Sequence, residues 1–365
     1  MLLSNDASHP DFVRTLKQAA TVPDEYSTLS RFLGLYPLAG IPVTIATAVA
    51  YQRYRKWHQT PLDELEIDGM IVRFYPREPD TPADSIGIRR LYDPPNLDAF
   101  GLPVLTRETE RQLADLFAPA IHQDVVSGYD RIGRVTWEKN RVTVDPRYPT
   151  AYFYTSRSFL DGRPVLQLNF VFWYAERSGD NAPWIERGPL DGLTYRVTLN
   201  HEGQLAIADI MNTCGCYYFM VPRKALVDKI VVTPGEIAPL VPTWLPADDP
   251  QKRIALRVNS GWHQVQKVMV NADAGRMIPY DLVPYTELEM LQKNEGQKES
   301  VFTRDGIMKD SYRIEPYIFF SMGIPNIGFM RQRGHHAIKM VGRDHFTDPE
   351  LFDKTFQYPP LVRQP

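Results

Sequence analysis

Only two cysteines occur in 365 residues, and both stand in one tripeptide, Cys214-Gly215-Cys216. That scarcity excludes a disulfide-framed scaffold and favours a reducing compartment, so a cytoplasmic location is expected. An excess of one charge is lacking too: 41 basic against 44 acidic side chains leave a formal charge of −3. No field of that size draws a protein to phosphate backbones, and nucleic acid is not an expected partner. The patterns Gly-x-Ser-x-Gly and His-Glu-x-x-His, the phosphate-binding P-loop and Gly-x-Gly-x-x-Gly do not occur. The commonest hydrolase, zinc-protease, nucleoside-triphosphatase and dinucleotide answers go with them. No fixed-period repeat is found, and the first ten residues, with Asp6 among them, do not read as a secretory leader.

What is present is a folded composition. Hydrophobic residues make up 43% and charged residues 23%, which suits a packed chain and not a disordered one. Nineteen Tyr, seventeen Phe and six Trp favour pleated sheets and demand burial or a partner. The 31 prolines lie mainly between apolar runs and imply short elements joined by stiff loops. The length exceeds what one core usually serves, so two regions are expected: 1–103, helical and extended, and 104–365, β-rich with a C-terminal extension packing back on it.

Residues 32–51 carry no charge, and Arg53, Arg55 and Lys56 follow at once. Length and flank match a membrane span, but Pro37, Pro42, Gly34, Gly40, Thr44 and Thr47 dilute it. Three readings stand: a buried or capping helix starting near Pro42, an interfacial anchor, and a true span. Through residues 32–57 a membrane surface is therefore an expected partner, with the protein peripheral to it.

An amphipathic helix is expected over 11–20, an extended Pro-rich connector over 75–103, and a helix capped by Thr106 with Leu113, Leu116 and Phe117 on its apolar face. Beyond residue 129 the period shifts toward 2. Strands are expected at 134–137 and 141–144, 152–154, 165–174, 193–199, 204–210, 217–221, 254–258 and 262–270, many joined by Gly- and Asn-rich turns. With no βαβ alternation, the expected class is α+β: a mainly antiparallel β-meander core with N-terminal helices and a loop-rich C-terminal extension.

Three groups of residues are candidates for chemistry. Cys214 and Cys216 are placed to share a soft cation such as zinc or iron, with His201 as a further ligand. They are equally placed to cycle between dithiol and a strained, easily reduced disulfide, or simply to pack as small hydrophobes. His335, His336 and His345 fall in a basic segment with Arg331, Arg333, Lys339 and Arg343; imidazoles there suit a metal, while the plain alternative is an exposed basic loop. Glu176, Glu186 and Asp191 flank Trp184 in a long connection, where aromatic walls raise carboxyl pKa values for general acid–base work. The functional expectation is a metal-dependent or thiol-redox enzyme acting on a small molecule through the Cys-Gly-Cys and histidine groups. Its alternative is a non-catalytic protein that binds a membrane surface or a partner through 32–57 and an aromatic sheet groove.

Overall fold

A computed structural model describes residues 22–78, 89–234, 236–246, 253–270 and 277–359. The helix expected over 11–20 lies outside the described residues, as does 79–88 within the expected connector.

Ten strands form one sheet. In chain order they are β1 (Met70–Pro76), β2 (Ala120–Val125), β3 (Thr150–Leu160), β4 (Arg163–Arg177), β5 (Gly188–Leu199), β6 (Leu205–Asn212), β7 (Phe219–Pro222), β8 (Ile254–Val258), β9 (Val265–Val270) and β10 (Met277–Pro284). Across the sheet the order is β9-β8-β2-β1-β10-β3-β4-β5-β6-β7.

Within the run β3 to β7 each strand is antiparallel to the next. The remainder overturns the expected antiparallel α+β class. Strand β1 pairs parallel with β10, β10 parallel with β3, and β2 parallel with β8, so the sheet is mixed and curled and the protein is mostly β. The reason the pattern misled is physical. Parallel partners such as Ala120 and Ala255, or Arg73 and Met277, are remote in the chain, and local periodicity carries no information about remote pairing.

Period-2 alternation distributes β4 between two cores. Leu166, Leu168, Phe170, Phe172 and Tyr174 enter one core with Phe74, Ile121, Tyr195, Leu256 and Tyr280. On the opposite face Val171 and Trp173 meet Tyr285, Phe302 and Met330 from the C-terminal part of the chain. Both faces are covered, which is why β4 reads as a continuous apolar run. The β3–β4 turn places Asp161 and Gly162 at φ 54° and 68°, the paired left-handed geometry that matches strand twist in a two-residue hairpin.

Three helices matter for the site: α1 (Thr28–Leu33), α2 (Tyr36–Gln59) and α3 (Arg107–Phe117). Helix α3 forms where Thr106 announces it, with Thr106 and Thr109 capping each other's backbone N–H at 3.1 and 2.8 Å, a reciprocal arrangement that satisfies two otherwise orphaned donors. Helix α2 starts at Tyr36 and not near Pro42. Pro37 occupies the first turn, while Pro42 sits inside the helix as its seventh residue and removes the hydrogen bond an N–H there would make to the Leu38 carbonyl. Among the described residues no helix is long and apolar enough to cross a membrane, which corrects the span reading of residues 32–51: its Pro, Gly and Thr residues lower the apolar content.

Phe172 is fully buried in the main core, and truncation there leaves a cavity that close-packed neighbours fill only in part. Phe172→Ala is expected to cost about 3–5 kcal/mol in urea unfolding. The exposed Val104→Ala should change stability by less than about 0.5 kcal/mol.

Candidate active site

Arg177 closes β4 inside the protein. Its Nε and Nη2 donate to the two carboxylate oxygens of Asp191 on β5, both at 2.9 Å, and Nη1 donates to Glu186 at 2.5 Å. The cross-strand position makes the pair: Arg177 ends one strand as its antiparallel neighbour begins. Glu186 also accepts from Trp262 Nε1 at 2.8 Å and from the Tyr217 hydroxyl.

His263 links this cluster to a second carboxylate. Its Nδ1 lies 2.8 Å from Asp191 and its Nε2 3.3 Å from Asp130; the latter is an ion-pair approach and not a regular hydrogen bond. Tyr174 stacks flat on the imidazole, with centroids 3.9 Å apart. Asp130 accepts from the Val126 and Gly261 amides at 2.9 and 2.6 Å and from Ser260 Oγ at 2.9 Å. Burial alone would discharge His263, but the close approach of the Asp130 and Asp191 carboxylates outweighs it and raises its pKa. Burial likewise opposes the Asp191 carboxylate, yet Arg177 and His263 hold its pKa well below the usual range.

The cysteines lie at the end of this network. After β6 the chain turns tightly, with the Gly215 amide donating to the Asn212 carbonyl at 2.8 Å and the Asn212 amide to the Cys216 carbonyl at 3.0 Å. Gly215 sits at φ 89° with the Ala337 carbonyl against its Cα, so a side chain there meets both backbone strain and a clash. The Cys216 amide points at Cys214 Sγ, 3.4 Å away. A hydrogen bond from the Cys216 thiol, countered by burial and aided by Arg177, lowers the Cys214 pKa. Donating that bond, together with burial, pushes the Cys216 thiol well up. Cys214 is buried and Cys216 partly exposed.

Glu315 is the neighbouring acid. It is buried against Gly328 and forms no hydrogen bond or ion pair through its carboxyl with another described residue. Burial first, then the charges of Cys214 and Glu186, push its pKa from 4.5 up to about 8, against the opposing pull of Arg177 and Arg313.

The sequence-derived candidates separate cleanly. Glu186 and Asp191 enter the network, and Cys214 and Cys216 join its edge. Glu176 is exposed on β4 opposite Pro189 and stands apart. His335 contacts Glu25 at 2.9 Å, and His345 Nδ1 accepts from the Thr347 amide at 3.2 Å. His336 is buried beside the Arg331 cation with neither ring nitrogen in a regular hydrogen bond. His201 lies in the β5–β6 turn, near Arg163. Among the described residues no three His, Cys, Asp or Glu side chains converge in a way that could hold a metal ion, which corrects the metal-binding expectation. Both cysteines are free, with the Cys216 amide on Cys214 Sγ, and the imidazoles are turned to other partners or crowded by arginine.

Asp130, Arg177, Tyr217, His263 and Glu315 were not singled out in the sequence. One signal was present: Arg177 ends the long apolar run of β4, where an unpaired cation is costly. No family model, no curated protein and no solved structure matches the chain.

Replacing His263 by Leu leaves Asp130 and Asp191 facing an apolar group, and about 3–5 kcal/mol of unfolding free energy should be lost in urea titration. Because Glu315 binds its proton more tightly folded than unfolded, its favourable contribution is complete below 4.5 and lost as pH rises through about 8. Thermal unfolding across that window should show Glu315→Gln gaining on the wild type as pH rises; parallel curves would contradict the placement of Glu315.

Proposed function

We propose that the protein is a thiol–disulfide oxidoreductase acting on small thiols through Cys214 and Cys216. The observation that carries this reading is the tight turn that holds two free cysteines together and aims the Cys216 amide at the buried Cys214 Sγ, 3.4 Å away, with the buried Glu315 carboxyl close enough for the Cys214 charge to act on it.

Stabilising the thiolate of a dithiol favours the reduced form and makes the corresponding disulfide an oxidant. In the disulfide form, a small-molecule thiolate attacks the more exposed Cys216 sulfur. The Cys214–Cys216 bond breaks, and Cys214 leaves as a thiolate held by the Cys216 amide and Arg177. A second substrate thiolate attacks the substrate sulfur of the mixed disulfide and releases the substrate disulfide. Cys216 then takes a proton. Two thiols lose two electrons and two protons; the protein disulfide gains both electrons.

Glu315 manages one of those protons. While the cysteines are oxidised Cys214 bears no charge, so one of the influences that raises the Glu315 pKa is absent and its carboxylate is the base that receives the first substrate's thiol proton. Once Cys214 becomes an anion, the same carboxyl retains that proton. Arg177 and Arg313 moderate its affinity.

Thiol trapping with intact-mass measurement in glutathione buffers tests the reading. The folded wild type should interconvert between dithiol and internal disulfide and be reduced at a more oxidising buffer ratio than a peptide of residues 212–218. Cys214→Ser should trap a mixed disulfide on Cys216, and Glu315→Gln should slow oxidation of added thiol by about a hundredfold. A wild type that forms no internal disulfide in oxidised glutathione overturns it.

A further inference from the structure

A continuous apolar surface projects from the far side of the helical region. In α1 and the turn after it, Phe32, Leu33 and Leu35 are exposed, Phe32 by 78%. Along α2 the exposed residues Leu38, Ile41, Ile45 and Val49 fall at spacings of three and four, one above another on a helix. Pro37, Pro42, Ala46 and Ala48 are exposed beside them, so about half the circumference of this part of α2 faces outward with no charged side chain.

A second segment extends the same surface. Ile314, Tyr317, Ile318 and Phe320 are exposed, Tyr317 by 86%. The 3₁₀ turn Phe320–Met322 packs against α1 and α2, and a side chain on Gly34 would collide with Ser321. The base is pinned firmly. Arg31 donates to the Met322 and Gly342 carbonyls at 2.9 and 2.7 Å, and the Gly342 amide donates to the Tyr36 hydroxyl at 2.8 Å. Leaving so many large apolar groups in water on a rigid support is unfavourable, and contiguous patches of this kind mark contact sites.

Charge identifies the partner. One turn beyond Val49 the exposed residues become Arg53, Arg55 and Lys56, and none of these forms an ion pair with a described residue. Arg53 leans over the Trp262 ring, yet none of the three cations is neutralised by a described carboxylate, and apolar surface bounded on one side by such cations complements a lipid leaflet bounded by anionic headgroups. Leu38 to Val49 spans about 17 Å at 1.5 Å per residue, roughly half the hydrocarbon thickness of a bilayer. The curved, half-cylinder exposure also suits fluid acyl chains, whereas a folded partner would cover one stripe.

We propose that α1, the first half of α2 and residues 314–320 insert into one leaflet of an anionic membrane, with Arg53, Arg55 and Lys56 at the headgroups. This is docking at one face and not a span. It rests on surface geometry alone and is independent of the redox reading, although Glu315 lies within the docking segment.

Flotation of the full-length protein with vesicles of phosphatidylcholine, alone or mixed with phosphatidylglycerol, tests it. The wild type should float with the anionic vesicles and bind neutral ones about tenfold less well. Ile41→Glu with Ile45→Glu, both at exposed positions, should abolish flotation while circular dichroism and unfolding temperature stay unchanged. Arg55→Glu with Lys56→Glu should remove the preference for anionic lipid. A wild type that floats with neither vesicle overturns the proposal, as does a double glutamate variant that floats normally. So does a solution dimer that ignores vesicles and is split by those glutamates, since a second copy then covers the face.

Discussion

Arg177 is the charge around which the interior is arranged. A guanidinium removed from water is costly unless geometry and hydrogen bonding repay the lost hydration, and here Asp191 engages it in a fork while Glu186 takes its remaining edge. Once those carboxylates are committed, the rest is constrained in turn. Asp191 needs a donor on its second side and finds His263. His263, now favoured as a cation, needs Asp130 beyond it and the Tyr174 ring face beneath. Each group is tolerable in a dry interior only because the next is present.

The same accounting explains Glu315. Arg177 and Arg313 favour its carboxylate, but burial and the charges of Cys214 and Glu186 outweigh them, so it holds its proton to about 8. The charge on Cys214 and the proton affinity of Glu315 are thereby coupled through ordinary Coulomb interaction. The fold supplies the proximity: the β4–β5 hairpin brings Arg177 to Asp191, the turn after β6 brings the thiols, and the returning C-terminal chain brings Glu315 and lays Ala337 over Gly215.

Local features of the antiparallel run β3 to β7 were readable along the chain. The apolar run of β4, the Asp161-Gly162 turn and the Thr106 cap are local, and each acts through neighbours a few residues away. Cys214 and Cys216 were conspicuous because no other cysteine exists, and Glu186 and Asp191 because they flank an aromatic connection. Residues 32–51 were visible as an uncharged run, but whether they were buried, spanning or projecting depended on what Gly34 and Arg31 meet near residues 321–323.

By itself, then, the sequence determined that the middle of the chain is strand-rich, which residues of β4 alternate toward a core, and where the thiols stand, because turn preference and period-2 patterning operate over a few residues; it did not show β1, β2 or β10 or the full length of β3 and β5. Only the tertiary structure decided that β1, β10 and β3 lie side by side in parallel, that His263 falls between Asp130 and Asp191, and that the histidines 335, 336 and 345 do not meet the sulfurs. Those outcomes come from packing and electrostatic compensation among segments remote in the chain, where one buried charge is acceptable only if another, written far away, arrives beside it.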